Sequence, residues 1–136
     1  STAICNYIQN IRNDCSVYMS LGAQLFKDQN IVLIPDLSVI CDRCKLNERG
    51  CMGAPDWIIE IMSPSDAAHD YIDKLFFYYN AGVREYWIVN PQSAAVLVYL
   101  LEPEHFDVRT YTFGDTVKAG IFEDLFIDFA DLGLRM

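Results

Sequence analysis

Two kinds of spacing meet in Pro55-Asp-Trp-Ile-Ile-Glu-Ile-Met-Ser-Pro-Ser-Asp66. Trp57 to Met62, dominated by Ile and bounded by Pro55 and Pro64, reads as a strand. Ser63-Pro-Ser-Asp66 then has the form of a helix start, with a hydroxyl cap, proline at the first helical position and an acid three residues after the cap. The helix is expected to run to about Ala81, with an apolar stripe of Ala68, Tyr71, Ile72, Leu75 and Tyr79 and a stop at Gly82. Glu85 to Val89 follows as a strand. Strand, helix and strand in succession place the chain in the α/β class.

Upstream, Ser16 to Met19, Ala23 to Phe26 and Ile31 to Ile40 read as strands, the last interrupted by Pro35, and Asp42 to Gly50 reads as a polar loop. Ile4, Cys5, Ile8 and Ile11 stand near helical spacing within Ser1 to Asp14, as in the end of an amphipathic helix packed on a sheet. Downstream, Ala95 to Leu101 and Val108 to Phe113 are further strands, with turns at Asn90-Pro91 and Gly114-Asp115. The apolar tail around Phe122 to Phe129 is expected to be irregular and to end in a short helix. No internal repeat or linker divides the 136 residues, so one domain is expected over 1–136.

Composition narrows the function classes. At 52% hydrophobic, with seven Gly and five Pro, the chain is neither disordered nor low-complexity. Its longest apolar run, Ala94 to Leu101, falls far short of the ~20 residues that span a bilayer, and a cytoplasmic protein without membrane contact is expected. A formal charge of −9 argues against a protein whose main task is coating nucleic acid. Five cysteines without a secretion signal are expected to stay reduced rather than build a disulfide framework. Cys41, Cys44 and Cys51 also allow a zinc reading, which would need Cys15 or a distant His as fourth ligand.

Two acids interrupt apolar strands. Asp36 follows Pro35, and Glu60 lies in Trp57 to Met62, where alternation puts it on the face of Asp56, Ile58 and Met62, opposite Trp57, Ile59 and Ile61. A carboxylate buried there needs a cation or a proton. Two such acids on neighbouring strands are hard oxygen ligands of the kind Mg²⁺ accepts; the bland alternative is a strand-end acid open to solvent. Asp66, Asp70 and Lys74 follow at four-residue intervals on the helix, where Asp70 and Lys74 can pair, and a helix folded back on the sheet can aim the ammonium at the strand carboxylates.

Pro35-Asp-Leu-Ser-Val-Ile-Cys-Asp42, Ala54-Pro-Asp-Trp-Ile-Ile-Glu-Ile-Met-Ser-Pro-Ser65, Asp70 with Lys74 and Tyr78, and Gly82-Val-Arg-Glu-Tyr-Trp-Ile-Val-Asn-Pro91 together resemble the Uma2 family of restriction-endonuclease-like proteins. The resemblance implies membership of the PD-(D/E)xK nuclease-like superfamily. With it come an α+β fold, a mixed β-sheet core flanked by helices, and Mg²⁺-dependent (or Mn²⁺-dependent) cleavage of nucleic acid, DNA being the expected form. Carried over by position, Asp36 and Glu60 match the metal-binding acids and Lys74 takes the place of the usual lysine, since the E-x-K position holds Met62. Asp56, four residues from Glu60 on the same strand, is the less suitable partner. The resemblance also implies a longer N-terminal portion, of which this chain is expected to hold only part.

Given the negative charge, nucleic acid would be met through a local patch such as Arg43, Lys45 and Arg49, or through a homodimer or another partner. His69 and His105 have no ligand spacing, Ser63 and Ser65 lack a triad, and no Gly-rich phosphate loop precedes a helix. Tyr78, Tyr79, Tyr86 and Trp87 read as core or interface aromatics. The competing reading is a catalytically inactive nuclease-like fold serving as a protein-binding or assembly module.

Overall fold

The computed structural model describes residues 5–6, 8–9, 15–26, 29–123 and 125–132. In chain order the strands are β1 (Ser16–Met19), β2 (Ala23–Gln24), β3 (Val32–Leu33), β4 (Leu37–Ile40), β5 (Leu46–Asn47), β6 (Gly50–Met52) and β7 (Trp57–Ile61), followed by helix α1 (Ala68–Ala81). After it come β8 (Glu85–Asn90), β9 (Ala95–Glu102), β10 (His105–Thr112), β11 (Thr116–Lys118) and β12 (Phe126–Asp128). Six strands form the main sheet in the order β1-β4-β7-β8-β9-β10. Neighbours are antiparallel except β7 and β8, which run parallel and are joined by α1, as a parallel pair requires a long crossover. A smaller sheet, β3-β2-β6-β5, and the β11–β12 pair lie beside it. The fold is thus α+β with a large mixed sheet.

β7 and β8 are buried on both faces, which is why they read as almost unbroken apolar runs. On one face Ile58, Tyr86 and Ile88 pack with Tyr71, Tyr78 and Val83 from α1 and its exit. On the other, Trp57, Ile59, Trp87 and Val89 pack with Ile8 and with Phe122, Leu125, Ile127 and Phe129 of the tail. Cys5, Asn6, Ile8 and Gln9 are helical, in keeping with the expected N-terminal helix, the rest of which lies outside the described residues. The tail is more regular than expected: it contributes β11 and β12 before a 3-10 turn at Phe129–Leu132.

Several other expectations are corrected. Ser63 does not cap α1. Asp66 Oδ2 reaches back to the Ser63 N–H at 2.9 Å and the Asp66 N–H returns to the Ser63 carbonyl at 3.0 Å. The segment closes as a turn, and the helix begins at Ala68 with no side-chain cap. Gly82 ends it as expected, in the left-handed region at φ 99°. The helix buries Tyr71 and Tyr78, with Leu75 half-buried between them, whereas Ile72 and Tyr79 are exposed. The polar loop at 42–50 contains a 3-10 turn, β5 and the start of β6. Gly50 is required there: at φ +131° its missing Cβ would stand 2.3 Å from the Gly22 carbonyl oxygen, which accepts from Cys51.

Reduced thiols are also corrected. Cys15 and Cys41 form a disulfide. The β1–β4 register pairs Ser16 with Ile40, so the next residues outward face each other, with Cα atoms 4.2 Å apart. Both thiols are then lost to the zinc reading.

Glu85 is fully buried at the start of β8 and is a structural carboxylate. It accepts from Trp87 Nε1 and from the Ile121 N–H at 2.9 Å, pinning the tail to the sheet.

Candidate active site

The chain bends after Pro35, and Asp36 sits in that bend directly before β4. Its Oδ2 accepts from the Ile61 N–H at 2.7 Å, which fixes the carboxylate beside the end of β7. Glu60, one residue earlier on β7, faces α1 together with Ile58, as alternation predicts. Its side chain is 4% exposed, and its Oε2 accepts from Tyr86 Oη at 3.2 Å and lies 3.1 Å from Lys74 Nζ. Lys74 arrives from the middle of α1, with its ammonium also 5.2 Å from the Tyr71 ring centroid. Asp36, Glu60 and Lys74 therefore line one open cleft of about 430 Å³, with Ile34, Ile61, Asp66, Asp70, Tyr71 and Asp73.

Burial pushes the Glu60 carboxyl above the usual carboxylate range; Lys74 and the Tyr86 hydroxyl oppose that rise, and the nearby Asp36 charge adds to it. The sign for stability follows. A folded-state pKa above the unfolded value contributes stability that is complete below the ordinary Glu pKa and is lost as pH rises through the folded one. A cation beside the carboxylate offsets that loss. Asp66 moves the other way: exposed, and bonded by the Tyr71 hydroxyl and the Ser63 N–H, it is held below its ordinary value. Tyr71 is raised in turn, by burial and by Asp66.

Among the described residues five acids and one lysine line this cleft, so their field attracts cations and repels phosphate. Each central carboxylate has one oxygen in a bond described above, Asp36 Oδ2 and Glu60 Oε2, while no hydrogen bond from a described residue reaches Asp36 Oδ1 or Glu60 Oε1. Nor do three His, Cys, Asp or Glu side chains converge as a ligand set among those residues. A cation held here would have two carboxylates and complete its shell with water, the mode suited to Mg²⁺.

Of the other sequence candidates, Asp66 and Asp70 line the same cleft, while Asp56 and the basic loop lie outside it. Asp56 accepts from the Cys41 N–H at 2.7 Å and lies 3.7 Å from Arg84, holding β4, β7 and β8 together outside the cleft. Asp70 is 3.2 Å from His69 Nε2, and Lys74 pairs with Glu60 rather than with Asp70. In the basic loop Lys45 is occupied, donating to the Ala54 carbonyl at 2.8 Å, while Arg43 and Arg49 are exposed. Sequence reasoning missed Tyr86, which holds Glu60 from β8. Its apolar run gives it the pattern of a core or interface aromatic, and only the parallel β7–β8 register, pairing Ile58 with Tyr86 and Glu60 with Ile88, puts the hydroxyl within reach.

The same fold recurs in a solved protein. A crystal structure from Anabaena variabilis, described as "a putative nuclease belonging to DUF820", shares this fold with a TM-score of 0.72, covering 96% of this chain and 74% of its own at 23% identity. The family model "Uma2: Putative restriction endonuclease" matches residues 1–130, and the chain belongs to that family. An uncharacterized protein of Synechocystis sp. is 31% identical over 101 residues, 73% of this chain and 52% of its own length. The chain spans about half the length of that curated relative. No helix among the described residues is long and apolar enough to cross a membrane.

Proposed function

We propose that this chain is a metal-dependent endonuclease whose site is the Asp36–Glu60–Lys74 cleft and whose substrate is nucleic acid, DNA before RNA. The observation that carries the reading is the buried Glu60 carboxylate, pinned by Tyr86 and met by Lys74 in an acid-lined opening. Asp36 and Glu60 would hold Mg²⁺, or Mn²⁺ in its place. The ion's contribution when bound is to neutralise phosphate charge and to lower the pKa of water. Everything else falls to the chain. The Ile61 N–H and the Tyr86 hydroxyl fix the two acids. Lys74 orients the attacking water and stabilises the charge that grows on the phosphoryl oxygens. Hydrolysis adds the water oxygen to phosphorus and breaks one P–O ester bond.

The acidic lining supports a requirement for the cation before substrate can approach, because among the described residues five carboxylates against one ammonium repel a phosphodiester. Thermal melting with and without Mg²⁺ tests the reading. A rise in Tm with Mg²⁺ is expected, growing with ion concentration and abolished in Glu60→Gln. Melting that ignores Mg²⁺ in both proteins would point instead to an inactive fold serving as an assembly module.

A further inference from the structure

β10 closes one side of the main sheet, and among the described residues β9 is its sole neighbour. It is eight residues long, and most of it is exposed. A two-residue connection, Pro103-Glu104, joins it to β9, with Glu102 opposite His105. Leu101 donates to the Arg84 carbonyl on the far side of β9, so it and its partner Phe106 turn their backbone groups away from the β9–β10 ladder. Alternation then points the backbone groups of Phe106, Val108 and Thr110 off the edge of the sheet. In agreement, the Val108 N–H is met by its neighbour's Asp107 Oδ1 at 3.0 Å.

Edges of this kind are templates for another strand, and this one is self-complementary. An antiparallel pair of identical strands can be centred on an outward or on an inward residue, but centring on Asp107 or Arg109 sets that charge directly against its own copy, which is destabilising. Centring on Val108, the middle of the strand, pairs every residue from 105 to 111 with one from the same range in a second copy. It also sets Asp107 of each copy opposite Arg109 of the other, at a position without ladder hydrogen bonds, where side chains come closest. Centring on Thr110 leaves a shorter ladder and sets Arg109 opposite Tyr111. Within one chain Arg109 Nε already lies 2.9 Å from Asp107 Oδ2, with Arg109 exposed and Asp107 half-exposed, so each can exchange its partner for the equivalent one across the axis. On the helix-side face, Phe106 and Val108 are 54% and 48% exposed, and Phe106 meets Tyr79 of α1 with ring centroids 5.8 Å apart. Ile72 and Phe76 extend the apolar surface along α1.

We infer that two copies of this chain associate through β10, antiparallel and centred on Val108, joining their sheets across a two-fold axis with reciprocal Asp107–Arg109 pairs. The interface lies apart from the cleft and does not depend on its chemistry.

Sedimentation equilibrium of the whole chain tests it, reading a mass of twice 15.6 kDa for the pair. Arg109→Asp brings four acids together across the axis and is expected to weaken association about tenfold or more. The double exchange Asp107→Arg with Arg109→Asp restores opposite charges and is expected to restore the dimer. Thr110→Pro removes an outward N–H that the single chain does not use, so it is expected to keep the fold, checked by circular dichroism, and lose the dimer. A chain that stays monomeric at all concentrations, or a dimer indifferent to all three changes, would overturn the inference; so would an edge that binds only an unrelated strand.

Discussion

Lys74→Met is expected to slow Mg²⁺-dependent phosphodiester cleavage by about 10²- to 10³-fold, the cost of deleting one preorganised positive group at a site of developing negative charge. The Mg²⁺-dependent rise in Tm should survive, because Asp36 and Glu60 remain. Among the described residues Lys74 is the single cation lining the cleft, and it stands 3.1 Å from a Glu60 carboxylate that burial already pushes upward. Without the ammonium that upward push is opposed only by the Tyr86 hydroxyl, so Glu60 keeps its proton to higher pH than in the parent. The acidic limb of the pH–rate profile therefore moves to higher pH, and raising the pH recovers part of the loss. Single-turnover cleavage across a pH series checks both effects. A rate within about threefold of the parent, with an unshifted limb, would remove Lys74 from the chemistry.

The second large effect falls on the fold. Trp57→Ala should cost about 3–5 kcal/mol of unfolding free energy, a substantial share of the ~5–15 kcal/mol typical of such proteins. Trp57 is fully buried where β7 meets the tail, with its ring 4.8 Å from Trp87 and 6.3 Å from Phe122 between centroids. Its Nε1 finds no hydrogen-bond partner among the described residues, so removing the indole also relieves an unsatisfied donor, which places the loss toward the lower end of that range. Urea denaturation gives the number. A loss under about 1 kcal/mol would mean that the second face of the sheet is not packed as described.

What could be read from the sequence follows the range over which each signal acts. β7, α1 and β8 were legible because strand and helix periods, Gly82 and the flanking prolines act locally. The rotation of α1 was not: Tyr71 and Tyr78 are two turns apart, and Ile72 and Tyr79 satisfy the same period, so only packing against Tyr86 selects the buried line. β12 left a signal that was passed over. Leu125, Ile127 and Phe129 alternate with Phe126 and Asp128, and the first set is buried. β5 and β6 are too short to show a period, and they depend on the approach of Gly50 to Gly22. The disulfide needed the β1–β4 register, which the spacing of Cys15 and Cys41 does not reveal.

The site shows the same division. Acids in apolar strands marked Glu60, and the same signal marks Glu85, yet one opens on the cleft while the other is sealed under Gly120 and Ile121. The difference lies in what covers each strand end, which is a property of chain segments far away in sequence. Asp36, Glu60 and Lys74 are brought together by the bend after Pro35, the pleat of β7 and the return of α1.

Paramagnetic Mn²⁺, titrated into isotope-labelled protein and competed with Mg²⁺, tests most directly whether those acids hold a cation. Backbone amide signals around Asp36, Glu60 and Ile61 are expected to broaden first, to recover on adding Mg²⁺, and not to broaden in Glu60→Gln. Broadening centred elsewhere, or persisting unchanged in that variant, would contradict cation binding there.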